Sequence, residues 1–401
     1  MQQYRSYRFE VRATPEQRAL LCRIAGSCRF VYNKALALQR IRVAGGHRRL
    51  SYAASCKALA AWKSDPGFVW LNDCPSQALQ QALKDLDRAF CNFASGRARE
   101  PRFKRRGRDD RFRLPQGCKL EAQNARIFLP RIGWTRIRLS RAVEGVIGAV
   151  TACGQGGRWF VCIQTQRNLE PRAAAGGAVG IDLGVTRFAT LSDGSHETVI
   201  QLPAPDPQLV RALRRAQRCQ SRQCRFGKNW QRARGRVQKI HARITSKRLD
   251  RVHKVTAQIS KNHAIVCLEK LQIRNMTRSS RGGVGSVDRN ARRKAALNRA
   301  ILQQDWFEFR RQLAYKLAWR GGRLILVSPR YTSRTCPQCG FQSKENRTSQ
   351  ARFSCRNCRY EANADLVAAM NILRAGHAQL ARGDSSLIGA SAREPAEELA
   401  S

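Results

Sequence analysis

Four cysteines near the end of the chain have the spacing of a structural zinc site. Cys336 and Cys339 form one Cys-x2-Cys pair, and Cys355 and Cys358 form a second pair after fifteen intervening residues. In a zinc ribbon each such pair supplies two thiolates to a tetrahedral ion. Because four sulfurs leave no open position, we predict that this zinc holds structure rather than activating water. We expect the ribbon to position the helix that follows it.

Three carboxylates stand where apolar elements end or begin. Asp182 interrupts an apolar strand, Glu269 follows the run AIVCL, and Asp365 enters an otherwise apolar helix. An acid in such a position is costly unless it is paired or bound to a cation. Taken singly, each acid is more often a helix cap or a surface residue. Taken together, they predict one site with two Mg²⁺ ions about 3.5 to 4 Å apart for phosphodiester hydrolysis.

The charge of the chain indicates a polyanionic partner. Its 401 residues include 75 Lys and Arg against 28 Asp and Glu, a formal net charge of +47. Such a charge would repel itself in a folded chain unless a polyanion neutralised it, and nucleic acid is the natural candidate. The alternative, an ordinary solvated basic surface, leaves so large an excess unexplained.

Cysteine use and hydropathy indicate the compartment. Eleven of the fifteen cysteines are scattered singly along the chain rather than arranged as a disulfide framework, which favours a reducing environment. No apolar run approaches the roughly 20 residues of a membrane helix. We therefore expect a cytoplasmic protein without a membrane partner.

Two basic segments are predicted to contact phosphates. Residues 97–113 contain nine basic residues interleaved with two phenylalanines, and residues 209–260 carry sixteen Lys and Arg against one acid. The alternative for the first segment is a basic solvated loop. Within the second, Phe226 and Trp230 could stack on bases or pack at a turn between two helices. The candidate contacts are Arg102, Lys104, Arg105, Arg106, Arg214, Arg215, Arg218, Arg222, Lys228, Arg232 and Arg236.

The first half of the chain is predicted to combine strands with an inserted helical unit. Residues 4–12 alternate as a strand does, and TPEQ at 14–17 has the form of a helix N-cap, a first-turn proline and a capping-box partner. Helical patterns then fill residues 14–96. Because short strands return further along, we predict a β-barrel-like domain from residues 1–13 and 97–172 around this helical unit.

The second half is predicted to be an α/β domain that positions the acids. A hairpin of Ala178–Leu183 and Arg187–Leu191 is followed by the strand ending in Glu269 and one long helix at about 294–319. The overall class is therefore α+β and multidomain. The predicted boundaries are 177–334 and 360–379 for the α/β domain, 335–359 for the ribbon and 380–401 for a disordered tail.

These motifs resemble those of a known nuclease family. GIDLGVTRFATLSDG, IVCLEKLQ and ANADLVAAMNIL resemble the three motifs of a RuvC-like, RNase H-fold nuclease, and TSRTCPQCG with FSCRNC resembles the zinc ribbon inserted before the third. Together with SCRFVYNKALAL and PRFKRRGRDDRFRLPQ, they resemble TnpB, the OrfB protein of bacterial insertion sequences and a relative of type V CRISPR effectors.

The resemblance implies an activity, a site and partners. Asp182, Glu269 and Asp365 would be the catalytic triad of an RNA-guided DNA endonuclease. A guide RNA from the transposon end would pair with double-stranded DNA beside a short flanking motif. The barrel would be the wedge, the helices the recognition unit, and the basic helices after residue 209 would contact the heteroduplex. The protein would be a monomer at the bacterial nucleoid.

Two alternatives stay open at this point. A DNA transposase also uses three acids on an RNase H fold, but its glutamate usually comes last and on a helix, whereas here the order is Asp, Glu, Asp. A catalytically silent RNA-guided DNA-binding regulator generally lacks one or more of the acids, and this chain retains all three.

Overall fold

Two units make up the part of the chain that the computed structural model describes. The described residues are 2–168, 174–202, 206–278 and 291–383. The N-terminal unit contains residues 2–168 and 216–242, and the C-terminal unit contains residues 174–215 and 243–383. The predicted tail lies outside the described residues from position 384 onward. Within the described ranges, no helix is long and apolar enough to cross a membrane.

The N-terminal unit is built on an antiparallel sheet. Its strands are β1 (Gln2–Arg12), β2 (Arg111–Leu114), β3 (Lys119–Glu121), β4 (Arg126–Leu129), β5 (Gly133–Ile137), β6 (Val146–Gln155) and β7 (Arg158–Asn168). They are ordered β2-β6-β7-β1-β5-β4-β3. Because β2 and β3 stand at opposite ends of this order, the described ladder is open, and its closure into a barrel stays a prediction.

Three helices share the core of this unit with the sheet. They are α1 (Pro15–Ala44), α2 (Tyr52–Ser64) and α3 (Ser76–Ala94), with a 3-10 segment at Pro66–Asp73. The capping box predicted at the start of α1 is confirmed, since the Thr14 hydroxyl accepts from Gln17 N and the Gln17 side chain accepts from Thr14 N, both at 3.2 Å. Residues of α1, α3 and the sheet share one core, including Leu21, Leu79 and Val161.

A five-stranded mixed sheet organises the second half of the chain. Its strands are β8 (Ala178–Leu183), β9 (Ala189–Ser192), β10 (Glu197–Ile200), β11 (Ile265–Glu269) and β12 (Arg323–Val327). They are ordered β10-β9-β8-β11-β12, with β8, β11 and β12 parallel to one another. The predicted hairpin of β8 and β9 and the strand that ends in Glu269 are confirmed.

The described helices after residue 206 include one break that the sequence analysis missed. The helices are α4 (Pro207–Ser221), α5 (Lys228–Asn262), α6 (Ile273–Met276), α7 (Ala291–Gln303), α8 (Trp306–Ala318) and α9 (Ala364–Ala381). The prediction of one helix at about 294–319 was wrong, because Asp305 adopts a left-handed conformation with φ 53° between α7 and α8. Its carboxylate forms an ion pair with Arg248 of α5. A contact so distant in sequence leaves no local signal.

Helix α9 packs directly on the face of the sheet that carries Asp182. A Cβ at Gly180 would overlap the Ala369 carbonyl oxygen and lie 2.8 Å from Leu373 N. Side chains alternate along a strand, so Asp182 shares this face with Gly180, and Val179 and Ile181 point to the other face. There they join an apolar core with residues of α5 and α8. The glycine therefore sets how closely α9 approaches β8.

We expect Gly180→Ala to destabilise the C-terminal unit by about 1–3 kcal/mol, because the new methyl group displaces α9. Thermal unfolding followed by circular dichroism measures the effect. Gly235→Ala is the matched control, since nothing lies within 4 Å of a Cβ at that helical position. An unfolding midpoint for Gly180→Ala equal to that of the unmodified protein would contradict this account of the packing.

Candidate functional site

Two of the predicted acids stand side by side at the ends of parallel strands. Ile181 of β8 is paired with Leu268 of β11, and Asp182 and Glu269 occupy the next position on each strand. Parallel strands end at the same edge of a sheet, so both carboxylates lie at one end of the C-terminal unit. The apolar residues before them anchor these strand ends in the core.

The third acid comes from the first turn of α9. Asn363 is the N-cap of this helix, and its side-chain oxygen accepts a hydrogen bond from Asp365 N at 2.9 Å. Burial, together with the nearby charges of Glu269 and Asp365, raises the pKa of Asp182 to about 7. The structure thus brings the three acids into one electrostatic neighbourhood.

Glu269 is held by a hydrogen bond from a loop before the ribbon. It is only 9% exposed, and the Thr332 hydroxyl donates to Glu269 Oε1 at 2.7 Å. Burial raises the pKa of Glu269, while this hydrogen bond and the guanidinium of Arg347 in the ribbon oppose the rise. Thr332 therefore fixes the orientation of this buried carboxylate.

Thr332 is itself connected to α9. The side-chain amide of Asn371 donates to the carbonyl oxygens of Thr332 at 2.8 Å and Thr335 at 2.7 Å. Asn371 is buried, and its place in the apolar run AAMNIL is the signal that could have identified it. Neither Thr332 nor Asn371 was singled out from the sequence. Together they connect the strand end at Glu269 to the helix that carries Asp365.

The acid site has the properties of a divalent-cation site. Burial and the neighbouring Glu269 and Asp365 raise the pKa of Asp182, so the site holds an excess of negative charge that a cation would neutralise, and carboxylate oxygens are the ligands that Mg²⁺ prefers. Among the described residues, the four cysteines are the one group of three or more His, Cys, Asp or Glu that closes around a single ion position.

The predicted zinc ligands come together. Their four sulfurs lie within 4.8 Å of one another, with 3.5 Å between Cys336 and Cys358 and 3.6 Å between Cys339 and Cys355. Tetrahedral zinc with Zn–S bonds of about 2.3 Å places its sulfurs about 3.8 Å apart. The residues therefore fit a structural zinc ion.

The two cysteine pairs form matching turns. The residue after each pair has a positive φ, 75° at Gly340 and 62° at Arg359, and each donates its N–H to the carbonyl of the first cysteine at 3.0 Å. The fully buried Asn346 lies between the two turns. Its side chain donates to Arg334 O and Phe341 O and accepts from Arg356 N. One amide thus joins both turns.

The ribbon is attached to α9 at several points. Arg374 donates to Pro337 O at 2.5 Å, Ala364 N donates to Ala351 O at 2.9 Å, and Asn371 bonds to Thr335 as described. These contacts involve the first three turns of the helix. The ribbon therefore restrains the helix that carries Asp365, as expected from its position in the sequence.

The predicted phosphate contacts lie on the surface, with one exception. All of them are exposed except Lys104. The Lys104 ammonium lies 3.9 Å from the Tyr32 ring centroid, and its backbone N–H and carbonyl bond to the Asn33 side chain. Burial lowers the pKa of Lys104 to about 8. Lys104 thus stabilises the segment that presents its arginine neighbours, and its ammonium faces Tyr32.

Three family models match the chain. They are described as "Helix-turn-helix domain" for residues 1–48, "Probable transposase" for residues 160–280 and "Cas12f1-like, TNB domain" for residues 306–372. In this structure the first region contains strand β1 and the single long helix α1. The third region covers α8, β12, the ribbon and the start of α9.

Curated relatives match over almost the whole chain. "Putative RNA-guided DNA endonuclease InsQ" of Escherichia coli K12 is 45% identical, with 100% of this chain and 99% of that protein covered. "Putative RNA-guided DNA endonuclease" of Streptomyces pristinaespiralis is 33% identical over 95% of this chain and 91% of that protein. The fold is similar to a Cas12f1 chain in a complex with sgRNA and target DNA, with a TM-score of 0.56 at 15% identity, over 90% of this chain and 83% of that chain.

We expect the purified protein to contain one zinc ion, and Cys336→Ser to lose it, because the remaining three thiolates hold the metal weakly. Elemental analysis per mole of protein is the measurement. Cys219→Ser is the control, since this exposed cysteine lies on α4 outside the cluster. Zinc-free protein, or full zinc content in Cys336→Ser, would refute the metal assignment.

Proposed function

This chain belongs to the TnpB family, the OrfB proteins of IS605-type insertion sequences, and we propose that it is an RNA-guided endonuclease that hydrolyses double-stranded DNA. The observation that carries the proposal is the meeting of Asp182, Glu269 and Asp365 at one end of the sheet, within a chain of net charge +47. Two relatives whose names describe RNA-guided DNA endonucleases match over 100% and 95% of the chain. A guide RNA from the transposon end would select a target beside a short flanking motif.

The catalytic part of the proposal concerns a RuvC-like, RNase H-like domain. Mg²⁺ bound by the three carboxylates would activate a water molecule and stabilise the leaving oxygen at the phosphodiester. The protein itself positions and orients those carboxylates before the cation binds. Thr332 orients Glu269, Asn363 caps the helix that carries Asp365, and the β8 backbone fixes Asp182. Zinc in the ribbon has a structural role in this scheme.

The nucleic-acid part concerns the exposed basic side chains. The open sheet would act as the wedge and helices α1 to α3 as the recognition unit, and the arginines of residues 102–106 and of α4 and α5 would contact phosphates. An RNA and a DNA together supply the negative charge that a chain of +47 requires. In this scheme base pairing between guide RNA and DNA recognises the target sequence, and the protein contacts the sugar-phosphate backbones. The protein would act as a monomer at the bacterial nucleoid.

The proposal is tested by co-expressing the protein with its native flanking DNA, sequencing the RNA that co-purifies, and assaying Mg²⁺-dependent cleavage of matching DNA. We expect one enriched RNA and guided cleavage. Asp182→Ala, Glu269→Ala and Asp365→Ala should each abolish cleavage and leave RNA and DNA affinity within severalfold, because each removes a metal ligand and no phosphate contact.

The charge-matched control is Asp250→Ala, which removes an exposed acid of α5 that pairs with Lys254 at 2.8 Å. It should cleave like the unmodified protein. Loss of binding in all three triad variants would contradict the assigned roles. A discrete RNA without cleavage would indicate a guided regulator, and the absence of a discrete RNA would favour a transposase.

A separate prediction concerns the residue that positions Glu269. We expect Thr332→Val to reduce cleavage by about 10- to 100-fold, the usual effect of losing a partner of a metal ligand, and to raise the Mg²⁺ concentration needed for half-maximal rate. Thr332→Ser keeps the hydroxyl and should restore the unmodified Mg²⁺ dependence. If Thr332→Val needs no more Mg²⁺ than the unmodified protein, the hydrogen bond does not support a metal ligand.

A further inference from the structure

An exposed aromatic pair stands at the turn between α4 and α5. Phe226 is 67% exposed, and its ring centroid lies 5.5 Å from that of the half-buried Trp230. We call residues 222–234 the hairpin tip. The pair therefore presents flat aromatic surface to solvent at the tip.

The backbone of Phe226 is strained. Its φ of 70° lies in the left-handed region, which a bulky side chain rarely adopts, and glycine stands one position later at Gly227. The strained turn is held by hydrogen bonds from Gly227 N to Cys224 O at 3.1 Å and from Gln231 Nε2 to Phe226 O at 3.0 Å. A strained residue held in this way at the surface is typical of a ligand-contacting site.

Cationic groups flank both rings. The Arg225 guanidinium lies 5.1 Å from the Phe226 ring centroid, and that of Arg234 lies 5.5 Å from the Trp230 ring centroid. Arg222, Lys228 and Arg232 are also exposed at the tip. The sequence contains no acidic residue from position 209 to 249. This combination of flat aromatic surface and positive charge matches a ligand with both rings and phosphates.

The hairpin tip has a fixed base. The turn between β6 and β7 meets α5 so closely that a Cβ at Gly156 would lie 3.4 Å from Ala242 Cβ and 3.7 Å from Gln238 O. On the other arm, Ala216 of α4 is buried. Contacts at its base therefore hold α5, which carries Trp230, and a side chain presented from a packed helix loses less entropy on binding than one on a free segment.

We propose that Phe226, supported by Trp230, stacks on an unpaired nucleobase of the guide RNA while the arginines of the hairpin tip bind the adjacent phosphates. RNA loops expose unstacked bases that pack on aromatic rings and guanidinium planes, whereas a DNA duplex hides its bases until it is unwound. The inference rests on the proposed function only in that the chain binds RNA. It assigns a base-stacking site to a surface distinct from the acid site.

The test uses three probes of equal length: an RNA stem-loop with an unpaired loop, a blunt, fully paired RNA duplex, and a single-stranded DNA. We expect Phe226→Ala to weaken binding of the stem-loop by about fivefold or more, the effect of losing one stacked base, and to leave duplex binding within about twofold. Phe226→Leu, which keeps the apolar bulk, should show the same loss. Phe226→Tyr keeps the ring and should bind like the unmodified protein.

The matched control is Phe307→Ala on α8. Phe307 is 59% exposed and has the Arg310 guanidinium 5.6 Å from its ring centroid, but it lies outside the hairpin tip. Its removal should change binding of neither RNA probe. Circular dichroism on every variant separates loss of a contact from loss of fold.

Three results would overturn the inference. They are unchanged stem-loop binding by Phe226→Ala, an equal loss on both RNA probes, and a loss on single-stranded DNA larger than that on the stem-loop. All measurements are of binding and can be made in an Asp182→Ala background, so failure of the nuclease activity leaves them intact. If the unmodified protein binds neither RNA, the result contradicts the proposed function rather than the stacking site alone.

Discussion

The electrostatic cost of bringing three acids to one end of a sheet is the constraint on which the C-terminal unit depends. Burial and mutual repulsion raise the pKa of Asp182 to about 7, so without a cation the charged site opposes its own assembly. The surrounding fold must therefore hold the carboxylates in place. It does so with parallel strands whose apolar residues fill the core, and with a helix that glycine allows to lie directly against β8.

The zinc ribbon contributes to the same task from outside the sheet. A ribbon of this size buries little apolar surface, so the buried amide of Asn346, together with zinc where the four cysteines bind it as proposed, would hold it together. Its contacts with α9 restrain this helix, which carries Asp365. Thr332 and Asn371 also connect the end of β11 to α9. Zinc bound by the four cysteines would in this way support the geometry of the acid site without touching it.

The acid site and the predicted phosphate contacts differ in exposure. Three acids meet at the partly buried site, and the predicted phosphate contacts, apart from Lys104, project into solvent. Exposed arginines attract a polyanion over distances of about a Debye length and are weakened by salt, whereas partly buried carboxylates are screened much less. Polyanion binding and cation binding at the acid site therefore respond differently to ionic strength. This division suits a protein that must hold long backbones and cut at one point.

The sequence by itself determined the features that are encoded within a few residues. The Thr14–Gln17 capping box, the β8–β9 hairpin, the strand ending in Glu269 and the grouping of four cysteines all follow from short-range periodicity and spacing, since their defining contacts join near neighbours. Only the tertiary structure decided the break at Asp305, the support of Glu269 by Thr332, the turning of Lys104 toward Tyr32 and the strained exposure of Phe226. The break at Asp305, the support of Glu269 and the position of Lys104 depend on partners that are distant in the chain. The exposure of Phe226 depends on a positive φ that phenylalanine rarely adopts. Distant contacts and unusual backbone angles leave no periodic signal in the sequence.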